Sequence, residues 1–274
     1  MKCSGEQSSS AGRKSEKLGW ERFVSRDKER VKEAGDTERA TEPRRGGLTR
    51  KKIKEMIEIV DYTHTPSLIS EYIAQLRSVE IQGDRMRFRR NIERLGEIMA
   101  YEISRRLSYE TGTVRTPLGE AEVHRLSDRV VLATILRAGL PFHHGFLNYF
   151  DEAENAFVSA YRKYKDALHF DIHIEYIASP DITGSTLVIT DPMLATGGSM
   201  EMAFKALLTK GMPRRLHIAS IIASKTALTY LEQTLPKELE TTIWLAALDD
   251  GLNEHSYIVP GLGDAGDLAY GQKL

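Results

Sequence analysis

The sequence predicts an α/β fold built around a buried, largely parallel sheet flanked by helices. Six short apolar runs recur from residue 130 onward: VVLATIL (130–136), NAFVSAY (155–161), DIHIEYIA (171–178), TLVIT (186–190), LHIASIIAS (216–224) and TTIWLAAL (241–248). Strands covered on both faces read as near-continuous apolar runs of this kind. Helix-like stretches at 140–150, 199–210 and 225–235 lie between several of them, the alternation expected of parallel strands joined by helical crossovers. DIHIEYIA differs. His173 and Glu175 alternate with Ile172, Ile174 and Tyr176, so it reads as half-exposed and as the antiparallel partner of the strand before it.

The elements follow in order. Residues 1–47 show little sustained apolar periodicity, end in the breaker-rich PRRGG and read as a solvated tail, with the folded body over 48–274. The segment 65–78 opens with Thr65 before Pro66, a helix-start signal. A longer helix is expected from about Asp84 to Leu107, with Met86, Ile92, Leu95, Ile98, Met99 and Ile103 as its core stripe. After Thr111, TGTVRTPLGEAEV carries turn residues at its centre and suits a β-hairpin arm.

Composition narrows the function classes. Of 274 residues 41% are hydrophobic and 28% charged, the balance of a globular domain rather than a disordered chain. No window holds the apolar run of about 18 residues that a membrane helix needs, so no membrane partner is expected. The start MKCSGEQSSS has no apolar signal region, and Cys3 is the single cysteine. A reducing, cytoplasmic location follows as the expectation. Residues 1–52 carry 15 Lys/Arg against 9 Asp/Glu, while the rest carries 23 against 30. The acidic body argues against nucleic acid as a partner.

The most informative stretch is TLVITDPMLATGGSMEMAFKALL. A strand ends at Thr190, a nine-residue turn follows, and an amphipathic helix starts at about Ser199. In an α/β sheet such a turn lies at the carboxyl edge, where ligands bind. Gly197 and Gly198 permit close backbone approach, Thr196 and Ser199 add hydroxyls, and free N–H groups at the helix start favour an anion. Together they suit a phosphate monoester. Asp191, at the strand end, suits two vicinal ribose hydroxyls. Pro192 and Met193 fix the loop path. A Gly-rich turn without any ligand is an equally fair account of ATGG alone, and the Walker G-x-x-x-x-G-K-[ST] pattern is absent.

Other segments offer further anion sites. Arg137, Ala138 and Gly139 follow VVLATIL, placing an arginine at a strand end beside two small residues, an anion pocket or equally a partner for one of the excess carboxylates. Arg162, Lys163 and Lys165 sit in the expected hairpin of AYRKYKD, which taken alone reads as a solvated loop rather than an anion site. DDGLNEHSYIVPGLGDAGDLAYG contains a formal GxGxxG at Gly261, Gly263 and Gly266. It follows no βαβ strand and lies close to the chain end, so it is no dinucleotide fingerprint. Asp264 and Asp267 lie within reach of a bound Mg²⁺, although their spacing alone defines no cation site. His143 and His144 are adjacent and would point about a hundred degrees apart on a helix, a poor metal pair. Glu254 and His255 read as loop residues.

ILRAG (135–139), AYRK (160–163), DPMLATGGS (191–199) and LNEHSYIVPGLGDAGD (252–267) together closely resemble the uracil phosphoribosyltransferase family in order and spacing. The resemblance spans about residues 50–274. It implies a type I phosphoribosyltransferase fold, with a β-hairpin arm and a C-terminal hood. It further implies salvage of uracil with 5-phosphoribosyl pyrophosphate (PRPP) to give UMP and pyrophosphate, with Mg²⁺ and a homodimer or homotetramer.

Carried over by motif, Arg137 and Arg162 bind pyrophosphate. Asp191, Pro192, Met193, Leu194, Ala195, Thr196, Gly197, Gly198 and Ser199 hold the ribose and its 5′-phosphate. Ile258, Gly263, Asp264 and Ala265 contact uracil, Asp264 also meeting PRPP through Mg²⁺; Arg137, Arg162 and Asp264 make up the catalytic set. No convincing general base for uracil N1–H appears. LPFHHGF, HSYIV and DLAYGQKL depart from the commonest family pattern, which bears on regulation and assembly more than on chemistry. A non-catalytic PRPP- or UMP-sensing regulator on the same fold is the alternative.

Overall fold

The structure, a computed structural model, describes residues 57–164 and 170–272, with backbone alone for 160–164 and 170–174. These lie within the compact unit Ile53–Leu274. The tail expected over 1–47 and the start of the body at 48 lie outside the described residues, as does Lys165.

In chain order the elements are β1 (Ile57–Asp61), α1 (Leu68–Arg77), α2 (Arg85–Ser104), β2 (Tyr109–Thr116), β3 (Gly119–Leu126), β4 (Val130–Leu136), α3 (Leu140–Leu147), β5 (Glu154–Tyr164) and β6 (Phe170–Ala178). There follow β7 (Thr186–Thr190), β8 (Met193–Leu194), α4 (Gly198–Leu208), β9 (Arg215–Ser224), α5 (Lys225–Thr234), β10 (Glu240–Asp249), β11 (Gly251–Leu252), β12 (Ile258–Val259) and α6 (Ala265–Tyr270).

The main sheet has the order β1-β10-β9-β7-β4-β5-β6, with β8 added beside β9. Every pairing is parallel except β5 with β6, so the alternating run is the antiparallel edge its pattern predicted. Alternate residues serve opposite faces. Leu132 and Val188 join the core formed with α1, α2, α3 and α6. Val131, Leu187 and Ile189 between them are also buried, and α4 and α5 pack against β5, β6 and β9.

In α2, Phe88, Ile92, Leu95, Met99 and Ile103 are buried. Each contributes about 1.5–3 kcal/mol of gross hydrophobic stabilisation. Met86 does not belong to this stripe: it is exposed in the first helical turn, and Phe88 takes the inward position. Asp84 caps α2, accepting from the N–H groups of Met86 and Arg87 at 3.0 and 3.1 Å. The start expected at Thr65 falls two residues later. Ser67 is the N-cap of α1, its Oγ accepting from Ile69 N while its own N–H donates to Ser70 Oγ. The hydroxyl reach of Ser67 and Ser70 outweighs the Thr-Pro signal. The hairpin β2–β3 forms a separate two-stranded sheet turning at Pro117 and Leu118.

Candidate active site

Five neighbouring parallel strands, β10, β9, β7, β4 and β5, end on one edge of the sheet. The segments following β7, β4 and β10 carry the turn 191–199, Arg137 and the C-terminal glycine loop. Arg162 lies within β5, opposite Ile172 in the antiparallel ladder. Topology therefore gathers motifs scattered over 130 positions.

The turn after β7 is welded to its neighbour. Asp191 N–H donates to Ala219 O at 3.1 Å, Ile222 N–H donates to Pro192 O at 3.0 Å, and Met193 and Leu194 form β8 beside Ile222 and Ala223. Ser224 closes the frame: its Oγ donates to Ala195 O at 2.6 Å and accepts from Ala227 N at 3.0 Å, capping α5. Asp191 is buried, with Oδ1 3.4 Å from Met193 N. Gly197 has φ of +82° and stands directly before α4, which starts without a side-chain cap. The helix therefore begins at Gly198, one residue earlier than expected. Gly198 N–H makes one long bond, 3.4 Å to Thr196 Oγ1; N–H groups in the first turn of a helix are the donors an anion uses. Asp191, Leu194, Ala195, Thr196, Gly197 and Ser199 line a cavity of about 40 Å³, room for a few water-sized groups and thus for one phosphate.

The ends of β4 and β7 are tied by paired hydroxyls. Thr134 Oγ1 donates to Thr190 O at 3.2 Å, and Thr190 Oγ1 donates to Ala133 O at 3.1 Å. Arg137 follows, with Nη2 3.4 Å from Asp267 Oδ1 and 3.3 Å from Gly271 O. These contacts are long and the guanidinium is half-exposed.

The C-terminal segment meets Arg137 through Asp267 and Gly271. Ile258 is buried, paired with Leu252 in the small β11–β12 sheet. Gly263 has φ of +95°, and Asp264 caps α6 by accepting from Asp267 N at 3.0 Å. Ala265 is buried at the first turn of α6. An opening of about 420 Å³ is lined by Gln82, Arg85, Gly263, Asp264, Asp267 and Leu268. Among the described residues no group of three His, Cys, Asp or Glu side chains could hold a metal ion. An ion here would therefore take most of its ligands from a bound phosphate compound.

The family model described as uracil phosphoribosyltransferase matches residues 63–272. The chain belongs to the uracil phosphoribosyltransferase family. A uracil phosphoribosyltransferase of Porphyromonas gingivalis is 66% identical over 218 residues, covering 80% of this chain and 100% of that protein. One from Methanothermobacter thermautotrophicus is 39% identical, covering 72% and 90%. A solved Aquifex aeolicus protein superposes with a TM-score of 0.69 at 32% identity, covering 78% of this chain and 98% of its own.

Within this uracil phosphoribosyltransferase fold, several side chains around the site were not singled out in the sequence. Thr134, Thr190 and Ser224 fix backbone carbonyls at strand ends, and a Ser ending a strand before a helix, as in AS-KTAL, was the available cap signal for Ser224. Tyr230 braces α4 from α5, donating to Glu201 Oε2 at 2.7 Å; burial and then that carboxylate push its pKa up to about 12. His143 is buried, and its Nε2 lies 2.7 Å from Asn155 Oδ1. His144 is exposed, so the two histidines serve no common site. Glu254 and His255 form an exposed loop pair at 3.6 Å.

Proposed function

We propose that this pentosyltransferase joins uracil to the ribose of PRPP, giving UMP and pyrophosphate, with the roles of its residues set by the sheet edge. The observation carrying the proposal is that the turn 191–199 and Arg137 follow neighbouring strands, β7 and β4, with Asp267 of α6 3.4 Å from Arg137. In this reading the first-turn N–H groups of α4, with Thr196 and Ser199, receive the 5′-phosphate, and Asp191 receives the ribose hydroxyls.

Arg137 exchanges its long contacts to Asp267 and Gly271 for pyrophosphate, joined by Arg162. As the C1–O bond to pyrophosphate breaks, the bond from C1 to uracil N1 forms and the N1 proton leaves. Charge grows on pyrophosphate, where preorganised cations act most strongly. Mg²⁺ bound to PRPP would supply further positive charge there. Asp264, which caps α6 through Oδ1, is the residue that would stand nearest such an ion. Ile258 and Gly263–Ala265 hold uracil through backbone groups, a mode that leaves cytosine with mismatched donors. The loop over the site excludes water from a reactive sugar. The reading extends to a homodimer or homotetramer, which the family resemblance suggests, to a cytoplasmic enzyme, which the single cysteine suggests, and to a domain from about residue 48.

Incubation with Mg²⁺–PRPP and a panel of nucleobases tests this. Pyrophosphate release with uracil, and little with cytosine or purines, is the expected result. Tight binding of PRPP or UMP without turnover would favour the sensor instead, a reading that nothing else in the fold or family supports.

A further inference from the structure

We infer that Arg77 and Asp249 form a positioning pair that sets the uracil-binding segment in place. The inference rests on the reading that Ile258 and Gly263–Ala265 hold the base. Arg77 ends α1 and Asp249 ends β10, 172 positions apart. The guanidinium meets the carboxylate in a fork, Nη2 to Oδ1 at 2.7 Å and Nη1 to Oδ2 at 2.9 Å. Both partners then turn to one residue. Arg77 Nη1 donates to Gly261 O at 2.9 Å, and Gly261 N–H donates to Asp249 Oδ2 at 2.8 Å. Both backbone polar groups of Gly261 are thereby held.

Gly261 is a tight point in the loop. Its φ is +61°, and an added Cβ would run into the Ile258 carbonyl. A grip on Gly261 is therefore passed to Ile258 on one side, and two residues on to Gly263–Ala265 on the other. A simple surface ion pair would do little here. This pair is bidentate, which fixes direction as well as distance. Asp249 is also buried, at 7% exposure, so losing one partner strands a charge that water barely reaches. Recognition through backbone atoms tolerates displacements of only about 0.5 Å. A relaxed Gly261 should thus be felt first in uracil binding, while the phosphate turn, anchored separately on β9, stays put. Neither Arg77 nor Asp249 needs to touch a substrate.

The test compares Arg77→Ala, Arg77→Lys and Asp249→Asn with the wild-type chain in steady-state kinetics and amide hydrogen exchange. Arg77→Ala and Asp249→Asn should raise KM for uracil about tenfold or more and KM for PRPP less than about threefold, the scale of a lost charge-assisted contact. Arg77→Lys keeps the charge without the fork and should recover part of the loss. Exchange should quicken across 258–265 and not across 191–199. Equal rises in both KM values, or an unchanged KM for uracil, would overturn the inference. Should Arg77→Ala fail to fold, the same ratio in the other two variants decides. A wild-type chain that made no UMP would sink the functional reading alone; the exchange comparison would still judge the pair, and unchanged exchange at 258–265 would refute it.

Discussion

Arg137→Ala separates a catalytic role from a structural one, because the structure assigns very different sizes to the two. In the fold the guanidinium makes two contacts, 3.4 Å to Asp267 Oδ1 and 3.3 Å to Gly271 O, both near the limit of a hydrogen bond. Its side chain and that of Asp267 are 42% and 35% exposed. A solvated pair of this kind contributes about 0–1 kcal/mol, so the variant should unfold in urea within about 1 kcal/mol of wild type. A charge-assisted contact to the departing pyrophosphate is larger, on the order of 3 kcal/mol, or roughly a hundredfold in kcat/KM. Initial rates of UMP formation at varied PRPP, beside urea melts of the same preparations, read both quantities. Near-normal kcat/KM in a folded variant would remove Arg137 from the pyrophosphate site. A large loss of stability would mean that its tether to α6 matters more than the geometry allows.

Gly197→Ala places a side chain at φ of +82°, with its Cβ 3.0 Å from the Tyr230 ring and 3.2 Å from Ala227 O. About 1–2 kcal/mol of backbone strain should raise KM for PRPP roughly tenfold, and titration with PRPP checks it. Asp264→Asn keeps the cap on α6 while removing the charge, so melting should hold as kcat/KM for Mg²⁺–PRPP falls roughly tenfold; unaltered kinetics would withdraw Asp264 from the site. Burial first, and the Arg215 charge next, push His217 down to about 4. The unfolded chain then binds the extra proton, so this stability is full above about pH 6.5 and fades toward pH 4, by up to ~3 kcal/mol. Urea midpoints across that range should fall more steeply for wild type than for His217→Asn, and parallel slopes would refute the assignment.

Much of the frame was legible because its signals are local. The six apolar runs became β4, β5, β6, β7, β9 and β10 with small shifts at their ends. Burial on both faces leaves no room for polar residues in them, which makes such strands conspicuous. The strand β1 was not foreseen: IEIVD is short and only partly buried at the sheet edge, so charged residues interrupt its pattern. Met86 misled for the opposite reason, since an apolar residue in the first turn of α2 remains exposed at little penalty. The strands β8 and β12 have two residues each, too few for any periodicity to register.

Within the site, contiguous motifs could be read and long-range supports could not. DPMLATGGS carries its own chemistry, whereas Asp249 looks like one of two adjacent aspartates until β10 and α1 bring it against Arg77. Sheet order explains the remainder. Along the edge the strands run β10, β9, β7, β4, so the ends of β9 and β7 lie between the start of the C-terminal loop and Arg137. That loop leaves β10 after Asp249, yet α6 brings Asp267 to 3.4 Å from Arg137. On the way the loop is held at Gly261 by Arg77, at the end of α1, and Ile258, Leu262 and Ala265 join the core shared with α1, α2 and α3. In the proposed reading the base is held at Gly263–Ala265 and the sugar-phosphate at 191–199, with Arg137, on the strand end next to the turn, reaching the first segment through Asp267. Chain order spreads these pieces over the 130 positions from Arg137 to Asp267, and the parallel crossovers set their strand ends side by side.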